Sequence, residues 1–276
     1  MITPPPGESS SAPGPSALTP SLIVSRLRAA GCVFAEDEAR LLISAATSRV
    51  ELAAMVGRRV AGFPLEHVIG WAEFCGLRIA VDPGVFVPRH RTELLVKEAN
   101  ALVRPGAVVV DLCCGTGALG VALAAAAERI DLHAADIDPA AVRCARRNLA
   151  AAGGHVYEGD LDAPLPATLR SRVDVLVANV PYVPTEEIEL LPREARLHEA
   201  HRALDGGLDG LDIVRRVAAT APRWLRPGGH LLVETSERQA AQTVEIFATN
   251  GLIPRVATCD DLDATVVIGM RPEPNG

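Results

Sequence analysis

Asn179-Val180-Pro181-Tyr182 sets a side-chain amide, a backbone carbonyl, a stiff Pro and a flat aromatic ring in four consecutive positions. An Asn amide offers one acceptor and two donors. The set therefore suits holding a planar amide or amine while a bond forms at its nitrogen. It follows the apolar run Val173-Asp174-Val175-Leu176-Val177-Ala178, which reads as a buried parallel strand. Open α/β sheets bind ligands at the carboxyl ends of such strands. Taken alone, Asn and Pro also suit an ordinary strand-ending turn.

A second constellation precedes it. Val108-Val109-Val110-Asp111-Leu112-Cys113-Cys114-Gly115-Thr116-Gly117-Ala118-Leu119-Gly120 reads as a strand, a small-residue turn and a helix. Gly115 and Gly117 allow close backbone approach to a ligand. The free amides and partial positive charge of the helix start can hold a phosphate or a carboxylate. Gly115, Gly117 and Gly120 also fit the dinucleotide fingerprint literally, which keeps a nicotinamide enzyme as an alternative. Asp136 ends the next strand about 20 residues on, where an acid receives ribose hydroxyls. Asp111, just before the turn, would repel phosphates but welcome a ligand carrying an ammonium and a sulfonium; its other reading is a turn-capping acid. Asp160, after the third strand, can accept from an adenine amino group or stand as a solvated acid.

These residues need a scaffold. The 276 residues allow one large or two modest domains, and 49% apolar content supports a sizeable core. The net charge of −7 argues against a broad, sequence-independent nucleic-acid surface. No apolar stretch reaches the roughly 18 residues of a transmembrane helix. The Pro-, Ser- and Gly-rich start lacks a basic and an apolar region, so a disordered tail over residues 1–19 is expected rather than a secretory signal. Six scattered Cys without a CxxC pair predict no zinc and a reducing, cytoplasmic setting.

Apolar spacing predicts helices near residues 21–30, from 35 and from 51, then an alternating hairpin over 72–81 and a helix over 92–103. Strands are expected over 107–112, 132–136, 155–158, 173–178 and 230–234. Helices are expected over 118–127, 139–152, 208–224 and 239–249, and a final antiparallel pair over 253–258 and 264–270. Alternation of this kind implies a mostly parallel sheet with helices on both faces.

Asp111-Leu112-Cys113-Cys114-Gly115-Thr116-Gly117, then Asp136, then Asn179-Val180-Pro181-Tyr182 resembles the class I S-adenosylmethionine (AdoMet)-dependent methyltransferases with an Asn-Pro-Pro-Tyr signature. Within them the chain is most similar to the HemK-like protein-(glutamine-N5) methyltransferases, which modify translation release factors. Pro64 to Gly70, Pro83 to Glu93, Ala203 to Leu211 and Glu234 to Gln239 carry the narrower likeness. The resemblance implies an α/β Rossmann-like domain with a seven-stranded, mostly parallel sheet ending in an antiparallel pair, plus a small N-terminal helical domain. It implies a substrate-binding domain over residues 20–70, a hairpin linker over 71–90 and a methyltransferase domain over 91–272. It further implies that Cys113, Cys114, Gly115, Thr116, Gly117 and Asp136 contact AdoMet; Asp111, Asp160, Leu161 and Asn179 are expected beside them as cofactor contacts. Asn179, Val180, Pro181 and Tyr182 would hold a glutamine amide of a release factor, with no membrane and no nucleic-acid partner.

Three positions depart from the family pattern. Val180 replaces a Pro but still supplies a carbonyl. Leu161 stands where some members carry an aromatic against adenine. Cys113 and Cys114 replace small turn residues and read as small buried hydrophobes rather than a redox pair. Adenine-N6 methylation of a flipped nucleotide, a small-molecule acceptor and a non-catalytic AdoMet-binding protein are the competing readings.

Overall fold

The computed structural model describes residues 18–274, so most of the expected tail lies outside them. Its last residue, Thr19, caps the first helix: its side chain accepts from the Leu22 amide at 3.3 Å. The chain divides into two compact units, the first reaching Gly62 and the second starting at Phe63. The boundary thus falls ahead of the position expected from sequence.

The first unit holds α1 (Pro20–Ala29), α2 (Ala35–Ala45) and α3 (Arg49–Val60). Ile23, Leu27, Ala39, Leu42 and Val56 are buried, each on the apolar stripe of its helix. α3 starts two residues before Glu51 because Ser48 caps it, accepting the Glu51 amide at 3.1 Å. Arg59 and Glu38 form a buried pair at 2.6 Å, with side chains 12% and 11% exposed.

The second unit opens with α4 (Leu65–Ile69), which ends at Gly70 in a left-handed conformation. The hairpin β1 (Trp71–Phe74) and β2 (Leu77–Ala80) follows, antiparallel as expected. Its turn residues Cys75 and Gly76 both have positive φ, as a two-residue hairpin turn requires. It belongs to this unit through Asn148, whose side chain brackets Ala80: Oδ1 accepts the Ala80 amide at 3.1 Å and Nδ2 donates to its carbonyl at 2.9 Å.

Next come α5 (Glu93–Asn100), β3 (Val108–Leu112), α6 (Ala118–Ala126), β4 (Asp131–Asp136), α7 (Pro139–Leu149), β5 (His155–Glu158) and β6 (Val173–Ala178). They are followed by α8 (Arg193–His198), α9 (Asp212–Trp224), β7 (Leu225–Thr235), α10 (Ala240–Thr249), β8 (Ile253–Cys259) and β9 (Ala264–Met270). The sheet order β5-β4-β3-β6-β7-β9-β8 is parallel through β7 and antiparallel across β9 and β8, the expected seven-stranded arrangement. The order reverses between β3 and β6, a topological switch point that opens a crevice at their carboxyl ends. Every residue of β3 is buried, as a central strand covered on both faces demands.

The largest departures from the expected bounds are in α9 and β7. α9 starts at Asp212 rather than 208 because Gly207 and Gly210 adopt positive φ and keep the preceding segment in a loop. β7 starts at Leu225 and runs through Pro227-Gly228-Gly229, with a register shift between Val173 and Val175 absorbing the irregularity. α8 had no sequence expectation; it lies in a segment of short turns between residues 185 and 203.

Candidate active site

A cavity of about 300 Å³ opens at the carboxyl ends of β3, β4 and β6. The turn after β3 forms one wall with Cys113, Cys114, Gly115 and Thr116. Cys113, Gly115 and Gly117 all have positive φ, so the turn coils tightly before α6. Gly115 is open: a Cβ built there meets nothing within 4 Å. Gly120 behaves differently, because its Cβ would lie 3.1 Å from Leu149 and 3.2 Å from Leu132. The third glycine of the literal dinucleotide pattern is thus a packing requirement of α6. Burial drives the Cys113 and Cys114 thiols well above their ordinary range, and the Asp111 and Asp136 carboxyls push them the same way. Cys114 is buried and Cys113 half-buried, both on the cavity wall.

Asp136 lines the cavity at the end of β4. Its Oδ2 accepts the Gly115 amide and its Oδ1 the Asp138 amide, both at 2.8 Å. Burial raises its pKa while these backbone donors oppose the rise. Each oxygen retains a lone pair. Beside it Ile137 is 51% exposed and also lines the cavity, an apolar surface next to an acid. Sequence reasoning passed over Ile137; its signal was an unpaired apolar residue one step past the strand's terminal acid.

Four expected cofactor residues lie off the cavity wall: Asp111, Asp160, Leu161 and Gly117, the residue before α6. Asp111 is fully buried under the turn, and burial pushes its carboxyl to about 8, partly offset by the Gly120 amide. Neither oxygen has a partner of normal hydrogen-bond geometry. Burial thus disfavours charge on Asp111, which lies beneath the turn rather than on the cavity wall. Asp160 pairs with Arg216 at 2.6 Å on the surface. Leu161 is 8% exposed and sits in the core formed with Val110, Leu112 and Leu176.

Asn179, Val180, Pro181 and Tyr182 all line the cavity. The Asn179 Nδ2 donates to the Thr92 hydroxyl at 3.2 Å. The Tyr182 hydroxyl donates to Glu234 Oε1 at 3.0 Å, and burial with this carboxylate drives the phenol pKa up. Val180 is 2% exposed. The backbone of the tetrapeptide is held from outside. Gln239 Nε2 donates to the carbonyls of Tyr182 and Asp209, each at 3.0 Å, and its Oε1 accepts the Ser236 hydroxyl at 2.6 Å. The loop carrying Gly206 and Gly210 presses against the same strand end. A Cβ on Gly206 would lie 2.8 Å from the Pro181 carbonyl oxygen, and one on Gly210 2.3 Å from that of Tyr182. Gly210 also has φ +76, where an L side chain is strained. Gly210→Ala is therefore expected to cost about 2–3 kcal/mol of stability and to lower turnover by moving Tyr182; thermal melting and an activity assay check both.

The remaining wall comes from the segment after residue 185, through Pro192, Ala195 and Leu204. Glu199 fastens it. Its carboxylate accepts two bonds from Arg89 Nη2, at 2.6 and 2.8 Å, and one from the Val87 amide at 3.3 Å. The Glu199 side chain is 1% exposed; burial raises its pKa, and Arg89 opposes the rise. Arg89, Thr92, Glu199 and Glu234 had no individual role at the level of sequence, although three of them fall in stretches that carry the family likeness.

The Methyltransferase small domain family matches residues 76–208. A release factor glutamine methyltransferase of Geobacter sulfurreducens is 38% identical, with 80% of this chain and 78% of that protein aligned. Other proteins of that name match as well. A 4-amino-L-phenylalanine/4-methylamino-L-phenylalanine methyltransferase of Streptomyces pristinaespiralis is 36% identical over 77% of this chain and 75% of its own. Among solved structures, a methyltransferase from Pyrococcus furiosus superposes with a TM-score of 0.54 at 15% identity, covering 81% of this chain and 98% of that one, a likeness of fold.

Proposed function

The chain belongs to the release factor glutamine methyltransferase family, and from that membership we propose that it uses AdoMet to methylate the side-chain amide nitrogen of a glutamine in a translation release factor. The observation that carries the reading is the Asn179-Val180-Pro181-Tyr182 strand end facing the same cavity as Asp136 and the glycine turn.

The cavity residues fit AdoMet. Asp136 has a lone pair left on each oxygen for ribose hydroxyls, Gly115 leaves space that any side chain would fill, and Ile137 offers an apolar face to a planar base. Cys113, Cys114, Thr116 and Gly117 complete the turn around it. Asp111 supports the turn from beneath through the Gly120 amide, and Asp160 and Leu161 sit behind the adenine side. When bound, AdoMet supplies a methyl group already activated by a sulfonium.

The protein's task is then to present a poor nucleophile. A primary amide nitrogen is delocalised into its carbonyl. With Nδ2 engaged by Thr92, the Asn179 oxygen accepts one substrate N–H and the Val180 carbonyl accepts the other. Both dipoles point their negative ends at the nitrogen where positive charge grows. Pro181 stiffens the loop, and Tyr182, pinned by Glu234, packs on the amide plane. This fixes geometry, and much of the rate is gained by orientation. The nitrogen's surplus proton leaves to water from one of the held N–H bonds. Six free thiols among the described residues fit work in a reducing cytoplasm.

Asp136→Asn is expected to weaken AdoMet binding about 10–100-fold, by the loss of charge-assisted hydrogen bonds, as measured by calorimetry. In the unaltered protein, affinity should decline as pH falls through the raised Asp136 pKa, because protonation removes an acceptor.

The test of the function is incubation of the full chain with labelled AdoMet and purified release factors, followed by mapping of the label. Label on one glutamine amide supports the reading; label confined to nucleic acid, or none despite AdoMet binding, defeats it. A free aryl amine is the second reading, motivated by the 4-amino-L-phenylalanine relative and by the same pair of acceptors, and the same assay with that amine decides it.

A further inference from the structure

Asn179 can serve an amide donor only if its oxygen, rather than its nitrogen, faces the cavity. The two ends of a side-chain amide are nearly isosteric, so something must set which way it lies. Thr92 and Glu234 form a buried polar chain behind it, 4% and 2% exposed. The Asn179 Nδ2 donates to the Thr92 hydroxyl at 3.2 Å, and the Tyr182 hydroxyl donates to Glu234 Oε1 at 3.0 Å. The Thr92 hydroxyl lies near Glu234 and favours its ionised form. That contact is looser, since Oε2 has no partner of strict geometry.

We propose that Thr92 and Glu234 are positioning residues that set the direction of this hydrogen-bond chain and thereby hold the Asn179 oxygen toward the acceptor. This rests on the glutamine-amide reading above. An ionised carboxylate can only accept, so it draws the Thr92 proton toward itself. A hydroxyl has one proton. With that proton spent on Glu234, Thr92 shows Asn179 only lone pairs, and Nδ2 alone can bond to them. If Glu234 is protonated or neutral, Thr92 is free to donate to the Asn179 oxygen instead. The amide then flips at little cost and turns its NH₂ against the NH₂ of the acceptor.

The surroundings of Glu234 bear on when it is charged. Arg89 and Arg91, from the segment before α5, favour the ionised form, while burial opposes it. On its other side lies a polar cavity of about 200 Å³, shared with Arg91, Tyr182 and the acids Glu237, Asp260 and Asp263. Those acids come from the turn after β7 and the turn between β8 and β9. The acid limb of the turnover profile should therefore report Glu234, with activity lost as pH falls through its raised pKa.

The experiment compares Thr92→Val, Thr92→Ser and Glu234→Gln in the full chain. Loss of an outer partner of this kind typically costs about 10–100-fold. Thr92→Val is expected to lower kcat by that factor with AdoMet affinity unchanged, and Thr92→Ser to restore it to within about threefold. Glu234→Gln should lower kcat and abolish the acid limb. A direct reading needs no acceptor: by NMR, the Asn179 side-chain NH₂ should be protected from exchange in the unaltered protein and in Thr92→Ser, and unprotected in Thr92→Val. Equal protection in all three overturns the proposal whatever the acceptor proves to be. Equal turnover in all variants overturns it too, while leaving the glutamine reading intact. Should Thr92→Val fail to fold, the pH profile of Glu234→Gln and the NMR of Thr92→Ser decide.

Discussion

Asn179→Ala should cut methyl transfer about 10²–10³-fold while leaving AdoMet affinity within about twofold, the loss typical of one preorganised polar group at a reacting centre. The split follows from where the side chain is tied. Its nitrogen bonds to Thr92, 87 positions away in sequence, and it lines the cavity beside Val180 and Pro181 rather than on the glycine turn. Removing it leaves the Asp136 bonds to Gly115 and Asp138 intact. Stopped-flow or single-turnover transfer from labelled AdoMet, paired with calorimetric AdoMet binding, separates the two quantities. Near-normal turnover would show that the backbone carbonyl of Val180 suffices to hold the acceptor, and the mechanism above would fall.

Arg89→Met is expected to cost about 2–3 kcal/mol of stability. Removing one member of a buried pair commonly costs about 3–5 kcal/mol, and two factors reduce it here. Arg89 is 35% exposed, so solvent already screens part of its charge. Glu199 can also take up a proton instead of remaining an isolated anion. That second route gives the variant a pH signature. Burial already raises the folded Glu199 pKa from 4.5, and without Arg89 the rise is greater. Between the unfolded and folded values the folded state holds more protons, so stability must fall as pH increases through that window. Melting temperatures of Arg89→Met should thus drop more steeply with rising pH than those of the unaltered protein. A variant as stable as the parent at every pH would mean that Glu199 is held by Val87 alone.

Much of this was legible in the residues. Apolar runs placed β3, β4 and β6 to within a residue, because central parallel strands are buried on both faces and leave a continuous apolar record. The strand end at Asn179 and the acid at Asp136 were readable for the same reason: position at a carboxyl terminus is fixed once the strand is. Charge at Asp111 was not. A carboxyl's ionisation depends on how deeply it sinks, and sequence spacing put it on the turn without showing that it lies beneath it. Asp160 and Leu161 stand off the cavity wall for a related reason, since a positive φ at Leu161 redirects that loop and no residue type announces it. Thr92, Arg89, Glu199 and Glu234 were out of reach because each acts through a partner at least 52 positions away. The loop glycines were mistaken for a helix start because their requirement is a close approach of two backbones, which leaves no periodicity.

The tie between Arg89 and Glu199 spans 110 positions, and it dictates an order of assembly. Closing so distant a contact costs chain entropy, a cost that a sheet already folded between the two segments lowers. As the polypeptide leaves the ribosome, α6, β4 and α7 can settle on β3 long before Glu199 has been synthesised. The glycine turn and Asp136 are then present without an outer wall to exclude water. Methyl-transfer competence consequently arrives late in the life of the nascent chain, after β6 has delivered Asn179 and the segment behind it has looped back to Arg89.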